Sequence, residues 1–161
     1  MPSKTTTRRE KETQYTQGVY RPQNKEKCKS SLNCYRSRPE YMIMRWMDNN
    51  PNVVSWASEQ DVVWYKKSMD GGRPHRYFLD FTCEYRNRDG SVSKLFIEYK
   101  PKKFLKMPVR TKRMSAKTYN YLCETWVQNQ EKWAAARKYA EDHDGRFMVI
   151  CEDSIGIEES H

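Results

Sequence analysis

The chain is short of aliphatic residues. Leu, Ile, Val and Phe together number 24 of 161, a share low enough to flag disorder. The aromatics answer that flag: 11 Tyr, 5 Trp and 5 Phe, with 8 Met, can fill a modest core. No apolar run approaches the roughly 20 residues of a membrane span, and no signal-peptide core is present, so neither membrane nor export is expected. The five cysteines include no CxxC pair, and the three histidines are scattered, which argues against zinc and for reduced thiols. Acids are outnumbered. With 30 Lys and Arg against 21 Asp and Glu, the net charge is +9, and a polyanionic partner such as nucleic acid is expected.

The residues present suit one domain with a tail. Residues 1–31 are polar, basic and poor in large aliphatics, and read as a flexible arm docking on DNA or protein. Residues 32–155 form the expected domain, and 156–161 a frayed end. A helix starts near Ser37, with Pro39 in its first turn and Glu40 favouring the helix dipole. Ile43, Met44 and Met47 follow Glu40 on one helical face, so this carboxylate is aimed toward the core side. Strands are expected at Val53–Trp56 and Val62–Tyr65, separate or joined by a kink in which Glu59 is a secondary acidic candidate.

The stretch from His75 to Lys103 reads as a hairpin. Tyr77, Leu79, Phe81, Cys83 and Tyr85 alternate with Phe78, Asp80, Thr82, Glu84 and Arg86, Asp89-Gly90 supplies the turn, and Leu95, Ile97 and Tyr99 alternate on the return. If Glu84 faces Lys94 as an opposite-charge pair, the same register sets Asp80 across from Glu98, with Lys100 leaning to the same side. Two carboxylates so placed repel unless a cation lies between them, and Mg²⁺ or Mn²⁺ suits such oxygen donors. Asp80 with Glu98-Tyr99-Lys100 matches the PD-(D/E)xK arrangement of metal-dependent nucleases, without the proline, since Leu79 precedes Asp80. Asp…ExK by itself is a common pattern.

Lys102, Lys103, Lys106, Arg110, Lys112 and Arg113 follow with no intervening acid, where contacts to double-stranded DNA phosphates would be wanted. Pro101 and Pro108 make this an extended loop. From Ser115 a helical tract runs on, as one helix or as two broken near Gln128–Gln130, until Gly145 stops it before a buried strand at Arg146–Cys151.

The order of elements matches a restriction-endonuclease-like α/β (α+β) fold, with an αβββαβ core and a mixed sheet flanked by helices. The wording of YRSRPEYMIMRWMDNNPNVVSWASE, HRYFLDF, LFIEYKPKK and NQEKWAAARKYAEDHDGRFMVICED resembles the head completion nucleases of large contractile-tailed bacteriophages. More distantly it is similar to the nuclease subunit of heteromeric transposases. The resemblance runs from Tyr35 to Asp153 and implies a metal-dependent DNA nuclease acting in head completion and head-tail joining. It implies portal and neck proteins as partners, host cytoplasm as the place of action, and retention in the virion neck. It maps the family's helix glutamate onto Glu40, its central aspartate onto Asp80, and its ExK pair onto Glu98 and Lys100. The metal would then lie on Asp80, Glu98, the Tyr99 carbonyl and Glu40. A transposase- or repair-type endonuclease with this site, or a structural neck protein keeping the fold, are the alternatives.

Overall fold

The structure, a computed structural model, describes residues 17–156. Helix α1 (Arg38–Asn49) starts where Ser37 caps it, its hydroxyl accepting the Glu40 N–H at 3.3 Å. It leads into β3 (Val53–Ser58), which follows two short strands, β1 (Gly18–Val19) and β2 (Cys34–Tyr35). Then come β4 (Val62–Lys67), β5 (Arg73–Phe78), β6 (Phe81–Arg86), β7 (Val92–Tyr99), the long helix α2 (Ala116–Asp142), β8 (Gly145–Ile150) and a last short helix, α3 (Glu152–Gly156).

The central sheet has the order β3-β6-β7-β8, antiparallel except for the parallel pair β7 and β8. Taken with α1 and α2, these strands spell out the expected αβββαβ core, a mixed sheet flanked by helices. The β4–β5 hairpin is an insertion between the first and second core strands, paired only with itself.

Each face of the sheet has its own core. Ile43, Met44 and Met47 of α1 pack on Val53, Trp56, Phe81, Cys83, Leu95 and Ile97. On the opposite face Phe96 and Leu79 meet Ala136 and Ala140 of α2 together with Val63, Tyr65 and Tyr77 of the hairpin. Because β7 is covered on both sides, Leu95, Phe96, Ile97 and Glu98 are all buried. Apolar alternation on one face alone was too simple a reading of this strand.

Three further expectations are corrected. The first arm of the expected hairpin is not one strand: the chain leaves β5 at Phe78, passes Leu79 and Asp80, and enters β6 in another sheet. Leu79 and Phe81 consequently enter opposite cores. Of the two readings of the tract after Ser115, the single unbroken helix is the one present. Its end is turned by Asp144, at φ +55°, while Gly145 already belongs to β8. Glycine is needed there for space, since a Cβ would stand 2.5 Å from the Phe96 ring and 2.9 Å from the Lys94 carbonyl oxygen.

The third correction concerns the amino-terminal segment. Residues 1–16 lie outside the described residues, but 17–31 are built into the domain. Tyr20 is buried, and its hydroxyl donates to Asp48 at 2.7 Å. The N–H groups of Gln23 and Asn24 donate to the same carboxylate at 2.8 and 3.0 Å. Lys27 caps the end of α1 through the carbonyls of Asp48 and Asn50, at 3.0 and 2.7 Å. Around Cys28 the chain makes a parallel bridge to the outer edge of β3 at Trp56. Residues 157–161, read as frayed, are also outside the described part. Among the described residues no helix is long and apolar enough to cross a membrane.

Candidate active site

The expected hairpin register is present: Glu84 faces Lys94 and Phe81 faces Ile97. Carried one step past the start of β6, it brings Asp80 opposite Glu98. The Tyr99 N–H donates to Asp80 Oδ2 at 2.8 Å, tying the aspartate to the ExK strand. Asp80 is further held by its own backbone, whose carbonyl accepts the Glu59 N–H at 3.0 Å. Lys100 Nζ stands 3.5 Å from Glu98 Oε1.

Glu98 is only 4% exposed, and its Oε2 is buried without a hydrogen-bond partner. A buried carboxylate oxygen left bare is costly, on the order of 1–3 kcal/mol or more for a charged group. Burial, then the charge of Glu98, then that of Glu40 push Asp80 well above the usual carboxylate range, against the pull of the Tyr99 N–H and Lys100. Burial likewise raises Glu98, against Lys100 and Lys132. The two acids are thus packed into a place where both cannot comfortably ionise unless more positive charge is supplied. A divalent cation fits this donor set: hard oxygens, one of them unpartnered, facing each other across a strand pair.

Glu40 is half-buried. Its Oε2 accepts the Arg36 N–H at 2.8 Å, and its charge reaches Asp80 and Tyr99. It does not complete a compact cage: among the described residues no three His, Cys, Asp or Glu side chains gather as a metal site. Glu59 is in use elsewhere. Its carboxylate pairs with the Arg36 guanidinium, and its backbone, at φ +48°, makes the bend that supports Asp80. As an acidic candidate it is therefore corrected to a positioning element.

Sequence reasoning missed Lys132. It comes from α2, where a lone lysine among Trp and Ala positions reads as a solvated cation. Its ammonium lies over the rings of Tyr65 and Tyr77, at 5.7 and 5.5 Å from their centres. Burial and the charge of Lys100 lower its pKa, while Glu98 and Asp80 favour its charged form. The Tyr77 hydroxyl in turn donates to the Lys132 carbonyl at 3.1 Å. The signal in the sequence was the aromatic pair on β4 and β5 that the helix must cover.

The basic loop divides. Lys102 is tied down, its Nζ 2.6 Å from Asp153 and its N–H 2.7 Å from Glu152. Lys103 and Lys106 rim a cavity of about 210 Å³, which is floored by Leu122 and Trp126 of α2. Arg110, Lys112 and Arg113 are exposed on the run toward Ser115.

A mixed sheet between two helices, with an aspartate at the entry of one strand and ExK at the end of the next, defines a nuclease-type α/β domain. A family model described as TnsA-like endonuclease N terminal matches residues 50–152, and the chain belongs to that family. Asp80, Glu98, Lys100 and Lys132 lie inside the matched span and Glu40 outside it. The chain is also similar to the head completion nuclease of Enterobacteria phage T4, 34% identical over 124 residues that cover 75% of this chain and 79% of that protein. No solved structure matches.

Proposed function

We propose that the chain is a divalent-metal-dependent deoxyribonuclease that hydrolyses phosphodiester bonds of double-stranded DNA during phage head completion and head-tail joining. The observation that carries this reading is the Asp80–Glu98 pair, Glu98 buried and Asp80 half-buried, with Lys100 against it. A purely structural role gives no reason to bury two facing acids. Family membership and the similarity to a phage head completion nuclease support the same reading.

Asp80, Glu98 and the Tyr99 carbonyl would hold Mg²⁺ or Mn²⁺, with Glu40 at its outer side. When bound, the ion supplies positive charge against the phosphate undergoing attack. Lys100, oriented by Glu98, positions the water whose oxygen attacks phosphorus as the bond to the leaving oxygen breaks. Lys132, held over two tyrosine rings, adds a fixed positive charge from the opposite wall. Lys103, Lys106, Arg110, Lys112 and Arg113 grip phosphates without reading bases, so binding is insensitive to sequence. Partners at the portal and neck, action in the host cytoplasm and retention in the virion neck belong to the same proposal.

Plasmid and linear duplex incubated with Mg²⁺ or Mn²⁺, with and without chelator, test it. Cleavage that requires the ion and is lost in Asp80→Ala is the expected result. Intact DNA under every divalent ion would leave a structural neck protein that keeps the fold. A transposase- or repair-type enzyme would cleave as well but would lie among genes other than those for portal and tail.

A further inference from the structure

The β4–β5 hairpin has one face too apolar for its exposure. Its inner face, Val63, Tyr65 and Tyr77, is buried against α2. The outer face of an antiparallel ribbon normally turns polar. Here its cross-strand rows are Val62 with Phe78, Trp64 with Arg76, and Lys66 with Pro74. Trp64 is 61% exposed and Phe78 52%. The Arg76 guanidinium lies 5.8 Å from the centre of the Trp64 ring. Neither strand contains an acid, and the cations in these outer rows are Lys66 and Arg76.

We propose that this outer face is a stacking platform for the bases of an unpaired DNA strand leading into the Asp80–Glu98 site. The proposal rests on the reading of the chain as a DNA nuclease and adds the form of DNA it takes. Exposed aromatic rings interleaved with cations and free of carboxylates are what unpaired strands bind, the rings meeting bases and the cations phosphates. In a duplex the base faces are stacked on one another, so only an end, a gap or a frayed strand offers them to Trp64. Trp64 and Phe78 are diagonal neighbours, near enough for successive bases to lie across both. Phe78 stands two residues before Asp80, at most about 7 Å along the chain, or about two steps of a DNA strand. By chain distance, the Phe78 end of the platform therefore borders the site. A protein partner would account for the apolar rings but not for the Arg76 guanidinium against Trp64 or for a face without carboxylates.

Equilibrium binding without divalent ions tests this, using a blunt duplex and the same duplex with an unpaired tail that carries 2-aminopurine next to the junction. The wild-type protein should bind the tailed DNA more tightly and quench the 2-aminopurine. Trp64→Ala should weaken tailed binding by roughly 5- to 150-fold, the effect of losing a stacked base, and abolish the quenching. Blunt-duplex affinity should stay the same, and Trp64→Phe should restore most of the loss. Unchanged tailed affinity and quenching in a Trp64→Ala protein with wild-type melting would overturn the proposal and assign the face to a protein partner. A parallel wild-type cleavage assay with Mg²⁺ keeps the two readings apart. Absent cleavage sinks the nuclease reading, whereas cleavage with Trp64-independent tail binding sinks the platform alone.

Discussion

The backbone N–H of Tyr99 donates to the Asp80 carboxylate at 2.8 Å, so the strand that carries the ExK motif itself orients the aspartate opposite it. Asp80 itself sits in the bend between β5 and β6, and this bond ties it to the regular strand. What remains unbalanced is charge: Asp80 and Glu98 are both raised by burial, and Glu98 Oε2 has no partner.

Asp80→Asn should therefore separate stability from activity. It relieves repulsion, so the metal-free protein should melt higher, by roughly 2–4 °C for each kcal/mol gained in a chain of this size. Mg²⁺ should raise the wild-type midpoint, by up to about 2.7 kcal/mol of stability at one hundred times its dissociation constant. The variant should lose that ion-dependent rise together with cleavage. Calorimetry with and without chelator, beside a plasmid assay, reads all three. Lys100→Ala should also lose cleavage while still binding DNA.

Lys132→Gln should lower cleavage by roughly 100-fold, comparable to loss of one preorganised charge-stabilising donor. Lys132→Arg should recover part of it. Because Lys132 is held over Tyr65 and Tyr77 and its charge is felt with those of Glu98 and Asp80, duplex affinity should change less than the turnover rate. Single-turnover kinetics at saturating protein distinguish the two effects.

Asp48 governs acid stability. Burial pushes its carboxyl up, but the N–H of Gln23, the hydroxyl of Tyr20 and the N–H of Asn24 outweigh burial and hold it below the usual range. A depressed native pKa contributes stability that is present above the unfolded value, about 3.9, and is lost as pH falls through the native one. Denaturant midpoints should therefore fall below about pH 4 in the wild type and do so less in Asp48→Asn. At pH 7 that variant should be destabilised by about 1–3 kcal/mol, because buried donors lose a charged acceptor.

Of the three lysines nearest the ExK strand, Lys102 is already paired with Asp153. Neutralising Lys103 and Lys106 together should flatten the dependence of log affinity on log salt by roughly 2 units, about 0.9 for each phosphate contact. Adding Lys102→Ala should change the slope little. Titrations across a salt series, on unrelated DNA sequences, check both the slope and its indifference to sequence.

Much of this site could be read from residues close together in the chain. The pairing of Glu84 with Lys94 set the register that puts Asp80 across from Glu98, and Ser37 with Pro39 marked the start of the helix that carries Glu40. What escaped was non-local. Alternation runs unbroken from Tyr77 to Tyr85, and nothing in it reveals that Leu79 and Phe81 face different cores, because the switch is made by Glu59 and Asp61 reaching across to the backbone. Lys132 lies 32 residues after Lys100 on a helix whose register against β4 and β5 only packing decides. Residues 17–31 look unfoldable by composition, yet one buried tyrosine and one aspartate 28 residues away hold them.

That anchored segment also guards the assembly from itself. A sheet border with open amides and carbonyls recruits any strand that passes, including the same border of a second molecule. Here Lys27 and Lys29 occupy the backbone groups of Trp56 on the rim of β3, so that stretch of the border is already paired. A chain begun at residue 32 would give up this shield along with the Tyr20 anchor. Its cost would appear first as self-association at high concentration.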